Sequence, residues 1–175
     1  MLWNHGGSGD GVEAAYPGHV VSVLTPTSRY SEPFLLRLAN DIMSAPLWIA
    51  HGKGSFGRQV AAGAEATALR LGVKSVRIGL GESLPSFDPR TRWDLFSAGL
   101  FEEDVQTVTR AMDLPCPPRA LCAVAAGVRD FSKATGNVEG IFGVGQWFPG
   151  YEHTARLASM IHGERSLPRD GCRAG

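Results

Sequence analysis

Residues 45–72 read APLWIAHGKGSFGRQVAAGAEATALRLG, and the reading of this stretch decides the fold. Its opening, Pro46–Ala50, is a short apolar run with Trp and Ile, too brief for a helix and suited to a buried strand. After Gly57 the apolar residues Val60, Ala64, Ala68 and Leu71 recur at helical spacing, and Gly72 supplies a natural stop. Between them lies Gly52-Lys53-Gly54-Ser55-Phe56-Gly57, small residues turning a strand into a helix. The exposed N–H groups of such a helix start suit an anion.

The same alternation extends in both directions. Short runs at Val20–Leu24, Lys74–Ile78, Trp93–Ala98, Arg119–Ala125 and Gly140–Val144 read as further strands, several buried on both faces. Upstream, Ser31 is placed to cap a helix with Glu32 and Pro33 in its first turn, followed by Phe34, Leu38 and Ile42 at i, i+4 and i+8. Downstream, Glu102, Glu103 and Asp104 open a third helix that runs through Val105, Val108 and Met112, with Arg110 near its end. Read as capping and dipole residues, the three acids suit the positive end of the helix; a carboxylate site is the competing reading. Strand and helix in alternation predict an α/β domain with a mostly parallel sheet flanked by helices.

Composition narrows the function. The chain has 175 residues, 43% of them apolar, enough for one packed core and unlike a disordered chain. Seventeen basic residues offset seventeen acidic ones. This argues against nucleic acid as a partner, because such proteins depend on a positive field. No run approaches the ~18–20 apolar residues of a membrane span. The start, MLWNHGGSGDG, has neither a basic n-region nor an apolar h-region, so no secretion signal is visible in it. Cys116, Cys122 and Cys172 lack paired CxxC spacing, so neither a metal site nor a disulfide framework is expected, and Cys122 reads as a buried thiol. From Gly163 the chain runs GERSLPRDGCRAG, polar and broken by Pro and Gly, as a frayed tail would be.

Two motifs suggest enzymes and fall short. GKGSFG has the spacing of a dinucleotide fingerprint, which also needs an acid about 20 residues on, at the tip of the next strand. That neighbourhood holds Ser75, Val76 and Arg77, and the first acid is Glu82. His5-Gly6-Gly7 resembles the start of an esterase oxyanion loop, yet no G-x-S-x-G elbow accompanies it. Trp147 and Phe148, in GQWFPG, follow a predicted strand and read either as packing residues or as a pocket wall.

Taken in order, HVVSVLTPTSRYSEPFLL, APLWIAHGKGSFGRQVAAGAEATALRLG, WDLFSAGLFEEDVQTVTRAM, LCAVAAGVRDF and GIFGVGQWFPG resemble the branched-chain amino-acid (Leu/Ile/Val-binding-like) substrate-binding proteins of ABC transporters. These have the type 1 periplasmic-binding-protein fold. The resemblance covers roughly residues 2–150 and rests on order and patterning. It implies that residues 1–150 form a periplasmic-binding-protein-like lobe, with 1–30 a remnant of the first lobe and crossover and 31–150 the second lobe. Residues 151–175 then form a divergent, partly disordered tail, and the chain reads as a fragment of a two-lobed protein.

The resemblance also implies function, as expectations. The chain would be a non-catalytic solute-binding protein holding a small polar solute, such as an amino acid or amide, between two lobes. It would need no cofactor and no metal, its partners being the solute, an ABC permease and, where lobe surfaces pair, a homodimer. The full-length family is extracytoplasmic, in the periplasm or at the cell surface; without a visible signal, a cytoplasmic place suits the chain as it stands. Carried over by position, Gly6 and Ser8 match the first-lobe loop that holds a ligand carboxylate, and Phe56 matches the aromatic covering the ligand. The ligand-loop aromatic falls at Leu100, with Phe101 adjacent, and the acid that pairs with a ligand ammonium falls at Ala126. That departure removes a charge-assisted bond of about 1.5–3 kcal/mol and puts an amide or small acid beside a zwitterion. Independently, ligands of α/β sheets bind beyond the carboxyl ends of strands, which selects Ser55, Phe56, Leu100, Phe101, Ala126 and Trp147. The rival readings are a cytoplasmic ligand-sensing regulator of the same fold and a nucleotide-binding enzyme using GKGSFG.

Overall fold

Every apolar run named above that falls within the described residues becomes a strand. The computed structural model describes residues 2–4, 20–22, 25–40, 45–82, 84, 92–128, 130–136 and 140–144. The chain divides into two compact units, 1–144 and 145–175, and all described residues belong to the first. The strands are β1 (Leu2–Asn4), β2 (Val20–Ser22), β3 (Leu47–His51), β4 (Ser75–Gly79), β5 (Asp94–Ala98), β6 (Ala120–Ala123) and β7 (Ile141–Gly143). The helices are α1 (Glu32–Ala39), α2 (Ser55–Arg70), α3 (Phe101–Met112) and the single turn α4 (Phe131–Ala134). Strands β1 and β2 pair in parallel as a two-stranded sheet, and the other five form a parallel sheet in the order β4-β3-β5-β6-β7. The expected α/β class with a parallel sheet is what the chain forms.

Side-chain alternation along β3 sorts the core into two layers. Leu47 and Ile49 point to one face and pack with Phe34, Leu35 and Leu38 of α1 and Val60, Ala64 and Ala68 of α2. Trp48 and Ala50 point to the other, where Val108 and Ala111 of α3 and Phe131 of α4 pack. The middle strand, β5, is buried along all five residues, as a strand covered on both faces must be. At the sheet's edge, β4 exposes Val76 and Arg77.

The helix signals mostly hold. Helix α2 ends in a Schellman motif: Gly72, at φ +71°, donates its N–H to Leu69 O, and Val73 donates to Ala68 O at 2.9 Å. Ser31 does precede α1, but its hydroxyl makes no capping bond. A 3-10 turn over Thr27–Arg29 leads straight into α1, so the Ser31 backbone is already helical (φ −81°, ψ −12°) rather than extended as a capping side chain requires. Phe34 and Leu38 are buried with Leu35, whereas Ile42 lies outside the described residues. No helix among the described residues is long and apolar enough to cross a membrane.

Candidate ligand-binding site

Three adjacent parallel strands, β3, β5 and β6, end at one edge of the sheet, and the loops leaving them carry most of the residues singled out from sequence. From β3 the chain passes through Gly52–Gly54 into α2. Gly52 donates its N–H to Ala98 O across to β5 at 3.1 Å. Gly57, on the first turn of α2, sits against the same carbonyl. A Cβ there would lie 2.5 Å from Ala98 O and 2.9 Å from Gly52 N, so only glycine lets helix and strand approach this closely. At Gly52 a Cβ would overlap the Glu103 carboxylate, whose Cδ is 2.5 Å away. Two glycines of the GKGSFG pattern therefore answer to packing within the chain.

The acids at the start of α3 fasten this edge. Glu103 accepts from the N–H of Lys53 in the β3–α2 loop (3.2 Å) and from the N–H of Leu100 at the helix cap (2.9 Å). Asp104 is 0% exposed; its Oδ1 accepts from the Ser97 hydroxyl (2.6 Å) and the Gly99 N–H (2.8 Å), its Oδ2 from the Ala125 N–H (2.7 Å). Burial pushes the Asp104 carboxyl up to about 6, against the pull of those three donors, with the neighbouring Glu103 charge adding a little. The expected capping role holds for Glu103, which closes one half of a capping box, while Asp104 joins the ends of β5 and β6 from inside the core. The sequence carried one signal for this: Asp104 shares an i, i+4, i+7 stripe with Val108 and Ala111, both buried.

The residues selected from sequence divide accordingly. Ser55 is exposed at the first position of α2, and Leu100, 57% exposed, caps α3. Ala126 lies half-buried in a 3-10 turn after β6 (Val124–Gly127). Phe56 and Phe101 are half-buried and lean to opposite faces of the sheet. Phe56 meets Tyr30 edge-to-face at 6.1 Å, and Phe101 meets Phe131 at 5.9 Å, each packed against a different core layer. Gly6, Ser8 and Trp147 lie outside the described residues, as do His5 and Gly7. Among the described residues a separate open cavity of about 400 Å³ runs between β4 and α3, with Ile78, Glu82, Arg110 and Asp113 in its walls. None of the residues picked from sequence lines it.

The Glu103 carboxylate also bears on GKGSFG as a phosphate cradle. It occupies the Lys53 N–H, one of the donors such a cradle would use.

No family model and no curated protein matches the chain. Solved structures do. One from Silicibacter pomeroyi, provisionally described as a branched-chain amino acid ABC transporter, is 14% identical with a TM-score of 0.61 over 93% of this chain and 47% of its own. One from Rhodospirillum rubrum, described in the same terms, is 12% identical with a TM-score of 0.54 over 82% and 45%. A substrate-binding periplasmic protein from Ralstonia solanacearum is 13% identical with a TM-score of 0.55 over 87% and 48%. The chain spans about half the length of these proteins, and it has their α/β fold, as the sequence resemblance implied.

Proposed function

We propose that this chain is the solute-recognition part of an ABC-importer binding protein, taking a small polar solute such as an amino acid or amide at the carboxyl edge of β3, β5 and β6. The observation that carries the reading is the convergence of Ser55, Leu100 and Ala126 from three neighbouring strand ends, on a fold shared with binding proteins. In the two-lobed arrangement, Gly6 and Ser8 orient the solute, Phe56 covers it, and Leu100 and Phe101 face it from the start of α3. An ABC permease is the partner of the closed form, outside the cytoplasm.

The two helix starts at this edge are not equivalent. The first turn of α3 holds Glu102, Glu103 and Asp104, whereas that of α2 holds no acid, so its N–H groups are the ones left to a solute carboxylate or carbonyl. Ala126, where a carboxylate would meet an ammonium, favours an amide or small acid over a zwitterion. A thermal-shift screen against amino acids, primary amides, short acids and nucleotides tests the reading. We expect a compound of the first three classes to raise Tm, and Phe56→Ala to weaken its binding by calorimetry while the chain stays folded. Stabilisation by nucleotides alone would overturn it.

A further inference from the structure

The proposed site has at its base a buried acid for which simple solute binding assigns no role. Asp104 joins two of the three loops that form the rim: through Ser97 and Gly99 it holds the end of β5, and through Ala125 the turn after β6. These are the turns that carry Leu100, Phe101 and Ala126. Few titratable groups face it. Among the described residues, α3 contributes Glu103 and β6 contributes the thiol of Cys122, which the Asp104 charge and, more strongly, burial keep protonated. From β5 comes the Ser97 hydroxyl. The 3-10 turn after β6 offers only backbone, and the Lys53 amide of the β3–α2 loop is bound by Glu103 instead.

We propose that Asp104 is a proton-operated latch on the rim: ionised, it ties the Gly99 and Ala125 turns together, and protonated, it releases them. The inference rests on the solute-binding reading for its purpose and on geometry alone for its existence. A carboxylate presents lone pairs to all three donors at once, whereas a carboxylic acid must spend one oxygen on its own proton and so weakens at least one of those bonds. The switch falls in a physiological range because burial raises Asp104 to about 6.

Stability moves the other way. A folded-state value above the ordinary carboxylate range means that ionised Asp104 costs the fold. Its contribution is fully present below about pH 4 and is lost as pH rises through about 6. A residue that merely held the domain together would lose rim order and stability in step; a latch loosens the rim while the domain grows more stable.

The test needs no solute. In the full chain, Asp104 Cγ and the amides of Gly99 and Ala125 are followed by NMR from pH 7.5 to 4.5. We expect a midpoint near pH 6 shared by Cγ and the amides, and below it roughly tenfold faster hydrogen exchange at whichever of Gly99 and Ala125 faces the protonated oxygen, after correction for intrinsic exchange, with the Leu95 and Leu121 amides unchanged. Glu103→Gln should lower the midpoint only slightly and Asp104→Asn should abolish it; if the latter does not fold, the wild-type Cγ titration decides. Amide midpoints unlike that of Cγ, or exchange rising equally at Leu95 and Leu121, would overturn the latch. A solute screen without a binder would instead defeat the functional reading and leave the latch standing.

Discussion

If GKGSFG is held by packing and not by a phosphate, its three glycines will tolerate alanine unequally, in an order the structure sets. Gly57→Ala meets backbone, Ala98 O at 2.5 Å and Gly52 N at 2.9 Å, so α2 must move off the sheet. Overpacking of this kind costs about 1–3 kcal/mol and occasionally more, and the better helix propensity of Ala returns at most ~1. We expect a net loss of about 2 kcal/mol. Gly52→Ala meets only the tip of a side chain, the Glu103 carboxylate, which is able to swing away but forfeits its bonds to Lys53 and Leu100. Both lie at an exposed edge, so the loss should be about 1–2 kcal/mol. Gly54→Ala meets nothing within 4 Å at φ −71° and should cost less than about 1 kcal/mol. Urea unfolding with unchanged m-values measures all three. The internal control is a double-mutant cycle: with Glu103→Ala in place, Gly52→Ala should become nearly neutral. A Gly54→Ala loss larger than that of Gly57→Ala, or a Gly52→Ala loss indifferent to Glu103, would refute the packing account.

Two further outcomes follow from buried groups elsewhere. Asp94 is 1% exposed and takes two bonds from Arg119 (3.0 and 2.8 Å) and one from the Ala120 N–H, so Arg119→Ala should cost about 3 kcal/mol in urea; a loss under about 0.5 would class the pair with exposed ones. Burial pushes the Cys122 thiol well above its ordinary range, so iodoacetamide at pH 8 should modify the half-buried Cys116 and leave Cys122 intact until denaturant is added, as read by mass spectrometry.

The layered fold was legible because its signals are local. PLWIA, DLFSA and ALCA are short apolar runs that suit buried strands, the run at Lys74–Ile78 became the edge strand β4 with Val76 and Arg77 exposed, and Val60, Ala64 and Ala68 leave α2 one face to bury. The carboxyl edge followed from strand direction alone, which is why Ser55, Leu100 and Ala126 each come just after the end of one of three adjacent strands. What local pattern did not reveal were interactions between segments distant in sequence. Asp104 sits in a run of acids that suits a helix dipole, and only the meeting of β5 with β6 makes it a buried acceptor. Ser31 has the residue type of a cap, but the preceding 3-10 turn denies it the backbone. Phe56 and Phe101 are next to the edge in sequence, yet each leans partly into a core layer, because a half-buried ring at a strand end gains more from Tyr30 or Phe131 than from water.

The difference between the two helix starts gives a test in which stability and binding separate. Ser55 is exposed at the first position of α2, where the helix has no acid of its own. Ser55→Asp puts a negative charge on the positive end of the dipole and should stabilise the domain by about 0.3–1 kcal/mol. If a solute carboxylate docks on that turn, the same charge opposes it. At about 4 Å the repulsion lies between ~1 kcal/mol in water and ~4 kcal/mol in the effective dielectric near a protein surface, a loss of roughly 5- to 1,000-fold in affinity. Ser55→Asn, of the same shape without the charge, should leave both nearly unchanged. An anionic compound from the thermal-shift screen serves as the probe, with calorimetry for affinity and urea for stability. A rise in stability with unaltered affinity would mean that the anion docks elsewhere. A fall in stability would mean that the N–H groups of α2 are already taken, as those facing Glu103 and Asp104 are.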